Sequence, residues 1–403
     1  MADLTKDRLA DPHRIARASR YSAPESGGEA LPVAYGDLTA DAGADRGLWR
    51  CPRIDTGGAG TYCVAGHAVL GSVRLFDRDG EIPSGDYTLN LANDFQGQGV
   101  IATAAFSVAP SGFVEAACKG RKDASGALIE NPIRIVEDLM LDVWGFTAQD
   151  IDLQALSRAA GEAHALGYRA AGVIQEDRSP ADVLTELLGD FLGRFEVDPH
   201  GRLRLFLAGE ETGAIFPVKV LPAFEAAEVE AETGRDSVVN QVPLLYGKSF
   251  AEGRMGRHDD GGATKEAASQ ALYGVRPPPG GRLELAWVRD PATARAVQRR
   301  IVERLGTPAR VVTIRDTTFR ALEVEPEDYV VFSVPWLRTE DLEPLANQIG
   351  QVISVAPDLR EQALVLKLRE TPYHLTTAER ADGSKTAGGG APAGGRRDFA
   401  AYG

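Results

Sequence analysis

Three cysteines in 403 residues, Cys51, Cys63 and Cys118, are too few and odd in number for a disulfide framework. That scarcity fits folding in a reducing compartment. No apolar run is long enough to cross a bilayer, and the N-terminus lacks the apolar core of a secretory signal, so no membrane span is expected. Basic charge is short as well: 44 Lys and Arg stand against 58 Asp and Glu, a formal charge of −14. A surface that grips a nucleic-acid backbone wants a basic patch, which argues against general or sequence-specific DNA binding. Trp49, Trp144, Trp287 and Trp336 are scattered rather than clustered, which argues against an aromatic sugar platform. No period of a repeat array is present.

What is present is apolar content, 43%, enough for real cores, on a chain longer than one core usually holds. Two or more domains are expected. Residues 1–30 carry Lys6, Arg8, His13, Arg14, Arg17 and Arg20 and then small polar residues, which predicts an N-terminal arm and linker. From residue 31 the texture becomes short β-branched and aromatic runs: Tyr62-Cys-Val-Ala, Val73-Arg-Leu-Phe76, Tyr87-Thr-Leu89 and residues 100–106, with Asp77-Arg-Asp-Gly80 as a turn. These predict an all-β module over 31–130.

Residues 131–225 read as a helical α/β insertion with a hairpin. Asn131-Pro132 and Ser179-Pro180 each place a capping side chain before a proline at the first helical position. The first helix presents Ile133, Val136, Leu139, Met140 and Val143 on one face and stops at Gly145. A second, after Asp150, turns Leu153, Leu156 and Ala160 inward; a third buries Val183, Leu184, Leu187, Leu188 and Phe191. The hairpin joins 194–197 to 202–207 through Asp198-Pro-His-Gly201, and Leu203, Leu205 and Leu207 alternate toward a core.

Residues 226–375 predict a C-terminal β-barrel with one inserted helix. Residues 238–247 read as an entering strand, and 255–263, rich in Gly, Arg and Asp, as a surface loop. Leu283-Glu-Leu285-Ala-Trp287 is strand-like. Asp290-Pro291 starts a helix that Gly306 ends, with Ala294, Val297, Ile301 and Leu305 on the apolar face and Arg295, Gln298, Arg299 and Glu303 opposite. Strand runs at 311–314, 322–324, 329–334, 351–355 and 364–368 follow, the last two around Pro357-Asp-Leu-Arg360. Residues 376–403 are a Gly/Ala-rich tail expected to be flexible. The predicted class is α+β, mostly β: β-barrel modules with an α/β insertion.

Three blocks in this order resemble the baseplate hub, or tail-tip protein, of long-tailed bacteriophages and related gene transfer agents. One is Leu31-Pro-Val-Ala-Tyr35-Gly36 near the start of a β-rich module. Another is the helix after Asn-Pro, a second helix, a proline-capped helix and a hairpin with a Gly turn. The last is Ser269-Gln-Ala-Leu-Tyr273-Gly274, a strand, a helix ending near a proline, and strands around the acidic turn Glu325-Pro-Glu-Asp328. Related hubs usually carry Gly-Asp there, where this chain has Glu327-Asp328. The resemblance covers 31–375 and implies tail-tube-like barrels and a homotrimer that closes the tail tube at the tip. It also implies a channel for the tape measure protein and DNA exit. The implied partners are the distal tail protein ring, the tape measure protein and tail fibre or other tip proteins. The implied location is the virion tail tip, after assembly in the host cytoplasm. Two other readings are a tail-associated peptidoglycan hydrolase and a receptor- or glycan-binding module.

Side chains that could carry chemistry form no known constellation. Cys51, Cys63 and His67 lack the close cysteine pair and second histidine of a zinc site, and read as ordinary buried thiols and a strand histidine. No Gly-x-Ser-x-Gly elbow and no His-Glu-x-x-His occurs. Asp77 with Asp79, and Asp259 with Asp260, sit in turn contexts where Asp is common for conformational reasons. Gly57-Gly-Ala-Gly60 has no following Lys-Ser/Thr to make a phosphate loop. No catalytic, cofactor-binding or metal residue is assigned, no cofactor is expected, and the chain is expected not to be an enzyme.

Overall fold

The computed structural model describes residue 9, residues 29–39, 48–207 except 56, 98 and 199, the strands at 218–220 and 228–233, and residues 238–306, 308, 310–317, 324, 329–338, 344–358 and 360–374. Most of the N-terminal arm, the acidic turn at 325–328, most of the run at 322–324 and the Gly/Ala tail lie outside the described residues. The chain divides into two compact units, each made of separated segments. The first takes Met1–Gly209, Pro243–Gly261 and Gly280–Gln298, and the second takes the intervening stretches and Arg299–Gly403.

The first unit begins with nine strands: β1 (Val33–Tyr35), β2 (Trp49–Arg50), β3 (Arg53–Asp55), β4 (Thr61–Ala65), β5 (Val69–Asp77), β6 (Gly80–Glu81), β7 (Tyr87–Asp94), β8 (Val100–Phe106) and β9 (Glu115–Arg121). They form two four-stranded sheets, β2-β9-β5-β6 and β3-β4-β8-β7. One core lies against both: Trp49, Leu75, Phe76 and Cys118 from the first sheet meet Tyr62, Val64, Ala104 and Phe106 from the second. Trp49 is fully buried, and its indole N–H donates to the Val64 carbonyl at 2.8 Å, which ties the sheets together with a satisfied polar group. Here the expected barrel is open. Each sheet ends in two edges among the described residues, because the two meet through side chains rather than through a ladder of hydrogen bonds.

The helical part follows the expected caps. In α1 (Pro132–Asp138) the Asn131 side chain accepts from the backbone N–H of Ile133 and Arg134, and its Nδ2 donates to Ala160. A single π-helical turn, Leu139–Val143, continues it, and Gly145 at φ 65° takes the left-handed conformation that stops it. The second helix, α2 (Leu153–Ala165), is capped by Asp152 rather than Asp150, which instead closes a short 3₁₀ turn with Thr147. That register leaves Leu153 48% exposed, a correction to the expected face. It buries Ala155, Leu156, Ala159, Ala160 and Ala163. Next come β10 (Gly172–Ile174), α3 (Pro180–Asp190), β11 (Gly193–Val197) and β12 (Leu203–Leu207). The last two pair antiparallel, and β10 pairs with β1.

Three later strands belong to the same unit: β15 (Leu244–Ser249), β16 (Arg254–Asp259) and β17 (Leu283–Leu285), in the order β16-β15-β17. β16 corrects the loop expected at 255–263. Its residues alternate in exposure as an edge strand does, and Arg257 lies over the Tyr246 ring on its neighbour at 6.0 Å.

The second unit is built on a six-stranded sheet. It comprises β13 (Val218–Val220), β14 (Glu228–Thr233), β18 (Arg310–Asp316), β19 (Tyr329–Arg338), β20 (Pro344–Asp358) and β21 (Ala363–His374), in the order β13-β19-β20-β21-β18-β14. This sheet is also open. Val312, Ile314, Val330, Phe332, Leu366 and Leu368 make its core. β20 and β21 are much longer than the runs read from sequence, with bulges that keep pairing through residues of weak strand propensity. Helix α4 (Ala267–Tyr273) covers most of the Ser269–Gly274 segment, which the sequence does not mark as a helix. Fully buried Asn240 explains it: its amide donates to the Ser269 hydroxyl (3.1 Å) and the Gly274 carbonyl (2.8 Å), and its oxygen accepts from Arg276 N–H at 2.8 Å. Helix α5 (Pro291–Leu305), whose residues through Gln298 belong to the first unit, starts at Asp290, whose carboxylate accepts from the Thr293 amide and hydroxyl at 2.9 Å each. In α5, Gln298 is fully buried and donates to Asp259 at 3.2 Å, not exposed with the arginines as its polarity suggests.

Candidate functional site

The side chains singled out for chemistry are used for structure. Ring Nε2 of His67 accepts the backbone N–H of Ala34 at 3.0 Å, and Nδ1 lies 2.8 Å from the Ala68 carbonyl, so the neutral Nδ1–H tautomer satisfies both. Burial holds its pKa down to about 4. Cys51, Cys63 and Cys118 are buried and free, and burial pushes their thiols up, Cys118 to about 12. Among the described residues no group of three or more His, Cys, Asp or Glu is placed to hold a metal ion. Intact protein is therefore expected to react with a thiol reagent such as Ellman's only over hours, and to release all three equivalents at once in denaturant. Rapid reaction of the folded protein would overturn this assignment.

The turn carboxylates are likewise committed. Asp77 accepts from the Ser111 amide and hydroxyl at 2.9 and 3.1 Å, and Asp79 from the same hydroxyl at 2.6 Å, so the pair pins the β8–β9 loop to the β5–β6 turn. Asp259 accepts from Gly261 N–H at 2.9 Å and from Gln298 at 3.2 Å. Asp55 closes the β3–β4 turn by accepting from Gly57 N–H at 3.0 Å.

Two buried polar clusters escaped the sequence reading. In the first, Tyr35 is fully buried and donates to Asp138 Oδ2 at 2.5 Å; Arg121 Nε reaches the same oxygen at 2.7 Å, and Arg121 Nη2 reaches Asp142 at 3.3 Å. Burial raises Asp138 and Tyr35 alike. Tyr35 lies more than eighty positions before the other three in sequence, and the antiparallel bridge between Asp37 and Lys119 brings the end of β1 beside β9. In the second, Asp190 at the end of α3 accepts the Trp287 backbone N–H at 2.7 Å, while the Trp287 indole donates to Glu186 at 3.0 Å. Burial pushes Asp190 up to about 8. A carboxyl raised in the folded state stabilises fully below its unfolded pKa near 3.8, and loses that contribution as pH rises through 8. Stability is expected to fall across that window in the intact protein and to fall less in Asp190→Asn, as chemical denaturation at several pH values would record. An equal slope in both proteins would refute the assignment to Asp190.

Three of the hollows lined by described residues of the first unit bear on function. The largest, about 750 Å³, is lined by residues from β2 and β3, the β8–β9 loop and the segment after β10, including Arg50, Arg53, Phe113, Gln175 and Glu176. A second, about 340 Å³, is walled by Asp123, Glu130, Glu137, Asp138 and Asp142. The third, about 240 Å³, mixes Asp37, Glu130 and Asp290 with Arg169, Arg257 and Arg289. In the third, the Thr39 hydroxyl and backbone N–H both donate to Asp37 Oδ1, at 2.6 and 3.0 Å, the local bonding of an Asx turn.

No protein-family model matches the chain, and no curated protein matches it. Among solved structures it is similar to the prophage tail protein gp18 from Listeria monocytogenes, at 11% identity and a TM-score of 0.28, over 84% of this chain and 94% of that one. It is also similar to the tail protein from Neisseria meningitidis, at 10% identity and a TM-score of 0.32, over 84% of this chain and 96% of that one. TM-scores this low do not establish a shared fold.

Proposed function

We propose that the chain is a structural protein of a phage-like tail: the hub that closes the distal end of the tail tube at its tip. In this reading it assembles as a homotrimer on the distal tail protein ring, in the host cytoplasm, and is carried in the virion. Its lumen holds the end of the tape measure protein and later passes DNA, and tail fibre or other tip proteins dock around it. The observation that carries the reading is the ordered resemblance over 31–375, from Leu31-Pro-Val-Ala-Tyr35-Gly36 through the capped helices to the Ser269–Gly274 cassette.

Physical chemistry supports it at two points. Among the described residues, β7 and the two ends of the six-stranded sheet are open edges, which invite uncontrolled pairing unless a neighbour covers them. Two β-rich modules in each of three subunits supply six sectors, which match a six-fold tube end and bury such edges in a closed ring. The role is structural rather than catalytic, in keeping with cysteines buried as high-pKa thiols and turn carboxylates committed to backbone hydrogen bonds.

Imaging of the assembled tail tip tests this. Three copies around a lumen without a continuous Lys/Arg lining are expected, since a basic wall would retain DNA. One copy or six would overturn the stoichiometry, and a basic lining the passive channel. Cys51→Ser and Cys63→Ser should leave particle assembly intact, and purified protein should release nothing from peptidoglycan.

A further inference from the structure

We propose that the 750 Å³ hollow on the first unit binds a neutral oligosaccharide. Its volume is within the range of small-molecule sites. Phe113, on the β8–β9 loop, is 67% exposed, unusual for a phenyl ring beside a core. The Arg50 guanidinium sits over this ring, 4.3 Å from its centroid. A cation over the ring holds it in place while most of its surface stays exposed, which makes an apolar platform for the C–H face of a pyranose.

The second observation is independent of the first. Gln175 lines the same hollow, and its Nε2 is buried with no hydrogen-bond partner among the described residues. A buried amide donor left unmatched is destabilising, so an acceptor delivered by a ligand is favoured there. The lining charges choose the ligand class. Arg50 and Arg53 line the hollow together with Glu29, Glu176 and Asp177, so it is bordered by both signs of charge and the net charge is small. A phosphate or carboxylate ligand would meet the three acids, and a cation would meet the two guanidinium groups. A hydroxyl donates and accepts at once and suits both. The scattered tryptophans gave no hint of this, because the platform is a phenylalanine that only the loop conformation presents.

The site does not depend on the tail reading, and its test is separate. Saturation-transfer NMR on the full chain, with maltotriose, cellotriose and chitotriose as probes, is expected to show transfer to at least one of them. In Phe113→Ala, binding should weaken several-fold to roughly tenfold, the scale of one lost aromatic contact. Because Phe113 is exposed, its thermal midpoint should not move. Gln175→Leu, which keeps the bulk and removes the donor, should weaken binding comparably. Absence of transfer to all three sugars would overturn the proposal. So would unchanged binding in Phe113→Ala, or displacement of the sugar by inorganic phosphate.

Discussion

Trp287→Ala is expected to cost about 3–5 kcal/mol, a large share of the ~5–15 kcal/mol that holds an ordinary domain folded. The indole is 1% exposed and is among the largest fully buried side chains of the chain. Its N–H donates to Glu186, which also pairs with Arg178 at 2.9 Å, so truncation opens a cavity and removes a hydrogen-bond donor together. Across from it is Gly172 in β10. A Cβ built there would lie 2.3 Å from the indole Cε3 and 2.6 Å from Cδ2, distances no packed structure tolerates. Gly172→Ala alone should therefore also destabilise strongly, through overpacking. The two changes should not add. With the indole gone, the added methyl enters the vacated space, and Gly172→Ala should become close to neutral. Urea denaturation of the two single variants and the double variant measures this coupling. Additive losses would mean that the glycine is required for another reason.

Local signals were legible wherever one short stretch decides the outcome. Asn131-Pro132, Ser179-Pro180 and Asp290-Pro291 each start a helix with the capping bonds that their chemistry predicts. The alternation of Leu203, Leu205 and Leu207 gives a strand with all three buried. What stayed hidden depends on contacts distant in sequence. β9 reads Glu-Ala-Ala-Cys-Lys-Gly-Arg, with no branched or aromatic residue, yet it is central because small side chains let the neighbouring backbone approach. At Gly120 a Cβ would stand 2.5 Å from the Ala34 carbonyl oxygen, so only glycine fits. β16 was hidden by its Gly, Arg and Asp content, because an edge strand needs only one buried face. The candidate site was legible only in part. The absence of catalytic motifs could be read directly, but the exposed ring of Phe113, the unmatched amide of Gln175 and the Tyr35–Asp138–Arg121 cluster are products of tertiary folding.

That cluster supports the second large effect: Arg121→Met should cost about 3 kcal/mol near neutral pH. Removing one partner of a largely buried ion pair leaves the other charge uncompensated, and losses of this kind run from about 3 to 5 kcal/mol. The lower end is appropriate because the two side chains keep 21% and 13% of their exposure. The contact to Asp142 adds little, since that carboxylate is 62% exposed. The deficit should depend on pH in a definite direction. Burial already raises Asp138, while Arg121 and the Tyr35 hydroxyl pull it back. Without the guanidinium, the folded pKa climbs further above the unfolded value of 3.8, so the folded state of the variant takes up a proton that the unfolded state does not. Its stability is then retained at low pH and lost as pH rises through the raised pKa. His67, stacked on Tyr35 at 6.3 Å between centroids, works in the same sense. Arg121 helps to depress its pKa, so His67 also protonates more easily in the variant. The gap between variant and parent should therefore narrow as pH falls toward the ordinary carboxylate range, about 4. Adding Asp138→Asn, which removes the stranded charge, should recover part of the loss at neutral pH. Denaturant titrations at neutral and acid pH supply the measurement. A deficit below about 1 kcal/mol, the range of an exposed pair, would mean that the cluster is solvated rather than buried. A deficit that does not change with pH would mean that Asp138 is not the group left behind.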